Sequence, residues 1–95
     1  MRIKKEMLGF IKDYVRNEFP GAKLYVFGSR TDDSKKGGDI DLLILTKQRL
    51  HFKEKSRMRI NIWKKFGEQK IDILNYTFEE ESTFKEIIFN NSIEI

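Results

Sequence analysis

The chain contains no cysteine, one proline and six glycines among its 95 residues. The absence of cysteine excludes a disulfide framework and a thiolate metal site, and it fits a reducing, cytoplasmic location. The scarcity of proline and glycine argues against long flexible linkers. No apolar run approaches the length needed to cross a membrane, and the charged N-terminal residues do not have the pattern of a signal peptide. We therefore expect a single domain over residues 1–95, cytoplasmic and without a membrane partner.

Charged residues are abundant but unevenly distributed. Residues 47–65 contain eight Lys or Arg and one acid, whereas residues 68–95 contain seven acids and two lysines. The basic segment could attract phosphates, nucleic acid or an acidic partner, or it could be a solvated helix face. Nucleic-acid binding through Lys53, Lys55, Arg57 and Arg59 predicts a strongly salt-dependent affinity. We do not expect nucleic acid to be the main partner.

Hydrophobic periodicity predicts an α/β (α+β) fold in the order α-β-α-β-α-β-α, with a small mixed sheet of about three strands flanked by helices. The predicted strands are residues 23–27, 39–45 and 70–76, and the run Leu42–Leu45 is apolar on both faces, which predicts a central strand. The predicted helices are residues 3–19, a short segment at 29–34, residues 48–66, and a last helix that ends at residues 90–92. Residues 93–95 are left as a short tail.

Two of these helices carry specific expectations. Residues 58–62 alternate like a strand, but Phe52, Ser56, Ile60, Trp63 and Phe66 follow helical spacing, so we predict a helix. The last helix begins at Thr77 or Ser82. Its expected inward-facing residues are Phe78, Phe84, Ile87 and Ile88, with Phe89 as a further candidate. His51 has no second His or Cys near it in the sequence, and we expect it to have an ordinary packing or surface role.

Three carboxylates are the first candidates for chemistry. Asp39 and Asp41 stand at i and i+2 at the head of the central strand, so they point to the same face with Cα atoms about 6–7 Å apart. Asp72 lies in the otherwise apolar third strand and can reach the same face if the two strands pair. Three converging carboxylates suit two Mg²⁺ ions, which prefer oxygen ligands and stabilise phosphoryl displacement. Alternatively, Asp72 is an edge-strand charge that deters aggregation.

The turn after the first strand is the second candidate. Gly28 allows close approach to the backbone, and Ser29 offers a hydroxyl and an N–H at the predicted start of a helix, which favours a phosphate. Arg30 could add a cationic contact to a triphosphate, or it could pair with Asp32 or Asp33. The segment is not a Walker P-loop, because the Gly-x4-Gly-Lys-Ser/Thr pattern is absent.

Together these residues resemble a known family. Phe27, Gly28, Ser29, a nine-residue spacer, Asp39 and Asp41 look like the motif of the minimal nucleotidyltransferase (MNT) domain of the polymerase-beta-like nucleotidyltransferase superfamily. The resemblance covers nearly the whole chain, and the Gly-Ser-Arg form with Arg30 is typical of minimal members. It implies that Asp39 and Asp41 bind metal, that Gly28 and Ser29 hold the nucleoside triphosphate, and that Asp72 is the third carboxylate.

The resemblance also implies an activity and a partner. Minimal members usually pair, as antitoxins, with a HEPN-domain toxin, and some adenylylate a tyrosine of that toxin. We therefore expect a metal-dependent nucleotidyltransferase that moves AMP from ATP to a hydroxyl of a partner protein, as a hetero-oligomer or homo-oligomer. The brevity of the chain supports a protein acceptor, since it leaves no room for a separate acceptor-binding domain. The alternative is a non-catalytic antitoxin that neutralises its partner by contact, with the uneven charge guiding docking.

Overall fold

The computed structural model describes residues 3–28 and 39–95, and it confirms the predicted class and order of elements in this part of the chain. Its helices and strands are α1 (Lys5–Glu18), β1 (Lys23–Phe27), β2 (Ile40–Thr46), α2 (Phe52–Phe66), β3 (Ile71–Thr77), α3 (Thr83–Asn90) and β4 (Ile93–Glu94). The predicted short helix at 29–34 lies outside the described residues.

The strands form a mixed sheet in the order β3-β2-β1-β4. β2 pairs with β3 in parallel, and β1 pairs antiparallel with both β2 and β4. The prediction that β2 is central is confirmed, and Leu42, Leu43 and Ile44 are fully buried. The sheet of the described residues has four strands where about three were predicted, because the expected tail contains β4. The N–H of Ile95 donates to the carbonyl of Leu24 at 3.0 Å, so the tail covers the otherwise open edge of β1.

One face of the sheet is covered by α1 and α2. Met7, Ile11 and Val15 recur every four residues along α1, and Met58 and Ile62 do so in α2, so each helix presents one buried row. These rows pack on Leu24, Val26, Ile40, Leu42, Ile44, Ile71 and Ile73. Full burial of such side chains stabilises the fold by about 1.5–3 kcal/mol each.

The helix predicted over residues 48–66 is confirmed in kind but begins at Phe52. The helix begins there because the backbone of His51 is extended, with φ −74° and ψ 151°. The N–H of Leu50, before it, donates to Asn75 Oδ1 at 2.7 Å. His51 is the N-cap, and its N–H donates to Glu54 Oε1 at 2.9 Å. Phe52 and Ile60, although they fit the helical spacing, are exposed, because Met58 and Ile62 define the buried row.

The other face of the sheet is covered by α3. Ser82 is its N-cap and accepts a hydrogen bond from the N–H of Lys85 at 3.2 Å, which favours Ser82 over Thr77 as the start. The expectation that Phe78, Phe84, Ile87 and Phe89 face inward is wrong. Phe84, Ile87 and Phe89 are exposed, and Ile88 is the one buried residue of α3, because a helix of two turns presents one short row to the sheet. Phe78, which is also exposed, lies in the turn after β3 and before the helix. Phe89 keeps an edge contact with Tyr25, at 5.2 Å between ring centroids.

No helix within residues 3–28 and 39–95 combines the length and the apolar character needed to cross a bilayer.

Candidate active site

The candidate site lies at one end of the sheet, where three strands bring a row of residues together. In the pairing registers, Phe27 of β1 faces Asp41 of β2, and Asp41 faces Asp72 of β3. Residues opposite each other on neighbouring strands are about 5 Å apart and point to the same face. Asp41 and Asp72 therefore stand side by side on the face that α3 covers farther along. The sequence analysis predicted this juxtaposition for paired strands. The catalytic and metal-binding roles of both residues stay predictions.

The electrostatics of this pair are unfavourable for two negative charges. The pKa of the Asp41 carboxyl is raised above its ordinary value, first because the group is partly buried. A hydrogen bond with the Asp72 carboxyl and the negative charges of Asp72 and Asp39 raise the pKa further, while the Lys70 ammonium acts in the opposite direction. Like charges in a shared, partly dry site favour protonation unless a cation neutralises them.

Gly28 follows β1 directly and closes one side of this cluster. Its φ is +79°, in the region that side chains disfavour. A Cβ built on Gly28 would overlap the carboxylate of Asp41. The structure thus provides a second reason for a glycine at this position, in addition to close approach by a phosphate, because any side chain would displace the Asp41 carboxylate. Ser29 and Arg30, the other predicted nucleotide-binding residues, lie outside the described residues.

Asp39 is held by a residue that the sequence reasoning missed. Lys70 Nζ lies 3.2 Å from Asp39 Oδ2, and the backbone N–H of Ile40 donates to the carbonyl of Lys70 at 3.1 Å. The pKa of Lys70 is raised, first by its hydrogen bond to Asp39 and then by the charges of Asp39, Asp72 and Asp41. A signal existed, because a parallel register that aligns Asp41 with Asp72 also aligns Asp39 with Lys70.

We asked whether these residues fit a divalent cation. Within residues 3–28 and 39–95, no three His, Cys, Asp or Glu side chains stand together as a metal-binding group. The donor chemistry nevertheless fits, since Asp41 and Asp72 offer the carboxylate oxygens that Mg²⁺ prefers, at facing positions in neighbouring strands. Asp39 would join them only if it turned from Lys70.

Two cavities among the described residues lie away from the carboxylates. One of about 470 Å³ is lined by Phe19, Pro20, Gly21, Ala22, Thr46, Lys47, Gln48, Leu50 and Phe78. Another of about 410 Å³ lies beside α3 and is lined in part by Leu45, Phe78 and Phe89. Both include residues from the far ends of the strands, so the candidate site rests on its side-chain chemistry and not on cavity size.

Comparisons with known proteins agree with this geometry. A family model described as polymerase beta, nucleotidyltransferase, matches residues 10–95. A probable protein adenylyltransferase, MntA of Haemophilus influenzae, is 30% identical over 87 residues, which are 90% of this chain and 75% of that protein.

Two crystal structures share the fold. One, of a variant of the toxin–antitoxin MntA–HpeT, has a TM-score of 0.72 at 14% identity, covering 99% of this chain and 72% of that one. The other, from Shewanella oneidensis, has a TM-score of 0.69 at 12% identity and covers 97% of this chain and 71% of that one. These likenesses confirm the nucleotidyltransferase-like fold.

Proposed function

Because the chain belongs to the polymerase beta nucleotidyltransferase family, we propose that it transfers AMP from ATP to a hydroxyl of a partner protein. The observation that carries this proposal is the facing pair Asp41 and Asp72, next to Gly28, with the pKa of Asp41 raised. Such a pair is costly to maintain in a sheet unless it serves a cationic ligand or a proton transfer.

The reaction is a displacement at the α-phosphorus of ATP. The acceptor oxygen forms a bond to this phosphorus, the bond to the bridging oxygen breaks, and pyrophosphate leaves with that electron pair. The hydroxyl proton passes to a carboxylate, and we assign this role to Asp72, which is half-buried on the edge strand and adjoins Asp41. Gly28 and Ser29 are assigned to the triphosphate, with Arg30 as a cationic contact.

We assign Asp41, Asp72 and Asp39 as the residues that would hold Mg²⁺, as two ions. When bound, the ions supply charge neutralisation for the attacking and leaving oxygens. The chain itself places two carboxylates at facing positions in neighbouring strands. It also has a glycine at position 28, where a side chain would overlap the Asp41 carboxylate.

A protein acceptor is supported by the apolar surface of α3 and of the turn before it. Phe84 and Ile87 are 58% and 56% exposed, and Phe78 and Phe89 are each 42% exposed. An apolar surface on so short a helix indicates a site for another protein. Because the similar MntA chain occurs in a toxin–antitoxin structure, we propose a toxin partner, of the HEPN type, encoded by the neighbouring gene.

The test is incubation of the purified chain with α-labelled ATP, Mg²⁺ and the protein encoded by the adjacent gene. We expect label on the partner and a mass increase of one AMP, located at one hydroxyl by peptide mass spectrometry. The variant Asp39→Ala/Asp41→Ala should form the same complex without transferring label. Asp13→Ala, which removes an exposed carboxylate on α1, is the matched control and should transfer label normally. Complex formation without transfer by the wild type would overturn the catalytic proposal.

A contact-only antitoxin is the second candidate. It is favoured by the exposed apolar side chains of α3 and by the absence, in the described ranges, of a preformed three-carboxylate metal group. It predicts that Asp39→Ala/Asp41→Ala still neutralises the toxin in cells, whereas Phe84→Ser/Ile87→Ser does not. The catalytic proposal predicts loss of neutralisation with the Asp variant. Growth rescue by the two variants, at matched expression, separates the two functions.

A further inference from the structure

Lys70 is a cation placed among the carboxylates of the candidate site. Its ammonium nitrogen lies 3.2 Å from Asp39 Oδ2. The placement follows from the backbone, since Lys70 immediately precedes β3 and its carbonyl accepts a hydrogen bond from Ile40, which follows Asp39.

Stability alone gives a weak reason for this ion pair. The Lys70 side chain is 69% exposed and that of Asp39 is 42% exposed. Ion pairs between such solvent-exposed groups contribute little to folding, because water and salt screen them. The effect of Lys70 on cation binding is a stronger reason for its position, because its positive charge stands beside three carboxylates that we assign to a divalent cation.

We infer that Lys70 is a positioning residue that holds Asp39 and sets how strongly the carboxylates attract a divalent cation. This inference rests on the proposed function and adds a residue to it. A fixed positive charge repels an incoming dication and occupies one of the carboxylates that would bind it. Removing the charge of Lys70 should therefore strengthen cation binding, the opposite of what loss of a merely structural contact would do.

The experiment titrates Mn²⁺, as a probe for divalent cations, into the full chain without nucleotide. Free Mn²⁺ is measured by electron paramagnetic resonance. We expect Lys70→Gln to bind Mn²⁺ about 3- to 10-fold more tightly than the wild type at moderate ionic strength. Lys70→Arg retains the charge and should restore wild-type affinity.

Two controls separate a local effect from a change in net charge. Lys23→Gln removes the same charge from the other end of β1, four residues from Phe27 and so about 13 Å away, beyond the screening length. It should leave Mn²⁺ affinity unchanged. In an Asp39→Asn background, the change caused by Lys70→Gln should be smaller than in the wild type, because Lys70 then no longer withholds a carboxylate and only its direct repulsion of the cation remains.

The outcomes are distinguishable. Unchanged or weaker Mn²⁺ binding by Lys70→Gln would overturn the inference, as would an undiminished shift in the Asp39→Asn background. If the wild type transfers AMP while Lys70→Gln binds Mn²⁺ like the wild type, the inference fails and the proposed function stands. If the wild type binds no Mn²⁺ and transfers no AMP, both fail. Thermal melting of each variant confirms that the compared proteins are folded.

Discussion

The two faces of the sheet differ both in how they are covered and in what they carry. Two helices cover one face and bury full rows of apolar side chains, including Ile11, Met58 and Ile62. On the other face, α3 contributes a single buried residue, Ile88, and the sheet beyond it carries Asp41 and Asp72. The first face therefore supplies most of the burial, whereas the second can tolerate charge. The fold thus keeps most of its stabilising burial on one face of the sheet and its proposed chemistry on the other.

The largest expected effect breaks the chemistry and spares the fold. Asp41→Asn should lower AMP transfer by about 10²- to 10⁴-fold, because it removes a carboxylate assigned to the reaction. The folded protein disfavours a charged Asp41, as its raised pKa shows, so the neutral isostere should not lower the unfolding midpoint at pH 7. Transfer assays and thermal melting on one preparation measure both.

The control for this variant is Asp13→Asn, at an exposed position on α1. It should change neither the transfer rate nor the melting temperature. A strongly destabilised Asp41→Asn would contradict the separation of the two faces.

The next prediction concerns the stability of the fold on the face covered by α1 and α2. Ile62→Ala removes a fully buried side chain of α2 and should lower the free energy of unfolding by about 2–5 kcal/mol. Ile87→Ala makes the same change on α3, where the side chain is 56% exposed, and should change it by less than about 1 kcal/mol. Denaturant unfolding compares them directly, and equal costs would show that the α3 face is as well packed as the other.

These two faces were not equally predictable from sequence. The face covered by α1 and α2 was predictable because β2 is apolar on both sides and α1 repeats Met7, Ile11 and Val15 at helical spacing. The α3 face was not, since the apolar side chains of Phe84 and Ile87 have the composition of a core. Only the tertiary placement of a two-turn helix decides that they remain exposed. β4 was missed because two residues carry too little periodicity, and its pairing depends on the open edge of β1.

The candidate site divides in the same way. A local pattern was sufficient to single out Asp41, and the pairing of β2 with β3 was enough to place Asp72 beside it. Lys70 and the contact between Gly28 and Asp41 depend on the register between strands, which one residue of slip would change completely. The sequence could name the carboxylates, whereas the groups that surround them required three-dimensional structure.

A smaller effect concerns a hydrogen-bond network at the end of the face covered by α1 and α2. Asn75 is buried, and its amide nitrogen donates to the carbonyl of Ile44 at 2.9 Å and to Thr46 Oγ1 at 3.0 Å. Its Oδ1 accepts from the N–H of Leu50. Asn75→Ala removes these hydrogen bonds and takes away the side-chain acceptor of the Leu50 N–H, which should cost about 1–3 kcal/mol. Urea unfolding, with Asn17→Ala on the exposed side of α1 as control, measures the cost, and equal values for both variants would refute the role of this network.

The smallest effect concerns an ion pair between Arg49 and Glu80, which joins the loops after β2 and β3. Arg49 Nε donates to Glu80 Oε1 at 2.8 Å, and this hydrogen bond, together with the one from the backbone N–H of Thr77, lowers the pKa of Glu80 to about 2. A carboxyl whose pKa is lowered in the folded state adds stability above its ordinary pKa and loses it as the pH falls toward the folded value. The melting temperature of the wild type should therefore exceed that of Glu80→Gln at pH 7, and the difference should vanish as the pH falls from about 4.5 to about 2. Glu79→Gln removes a neighbouring exposed carboxylate and should show no such convergence. A difference that persists at pH 2 would mean that Glu80 acts through packing and not through its charge.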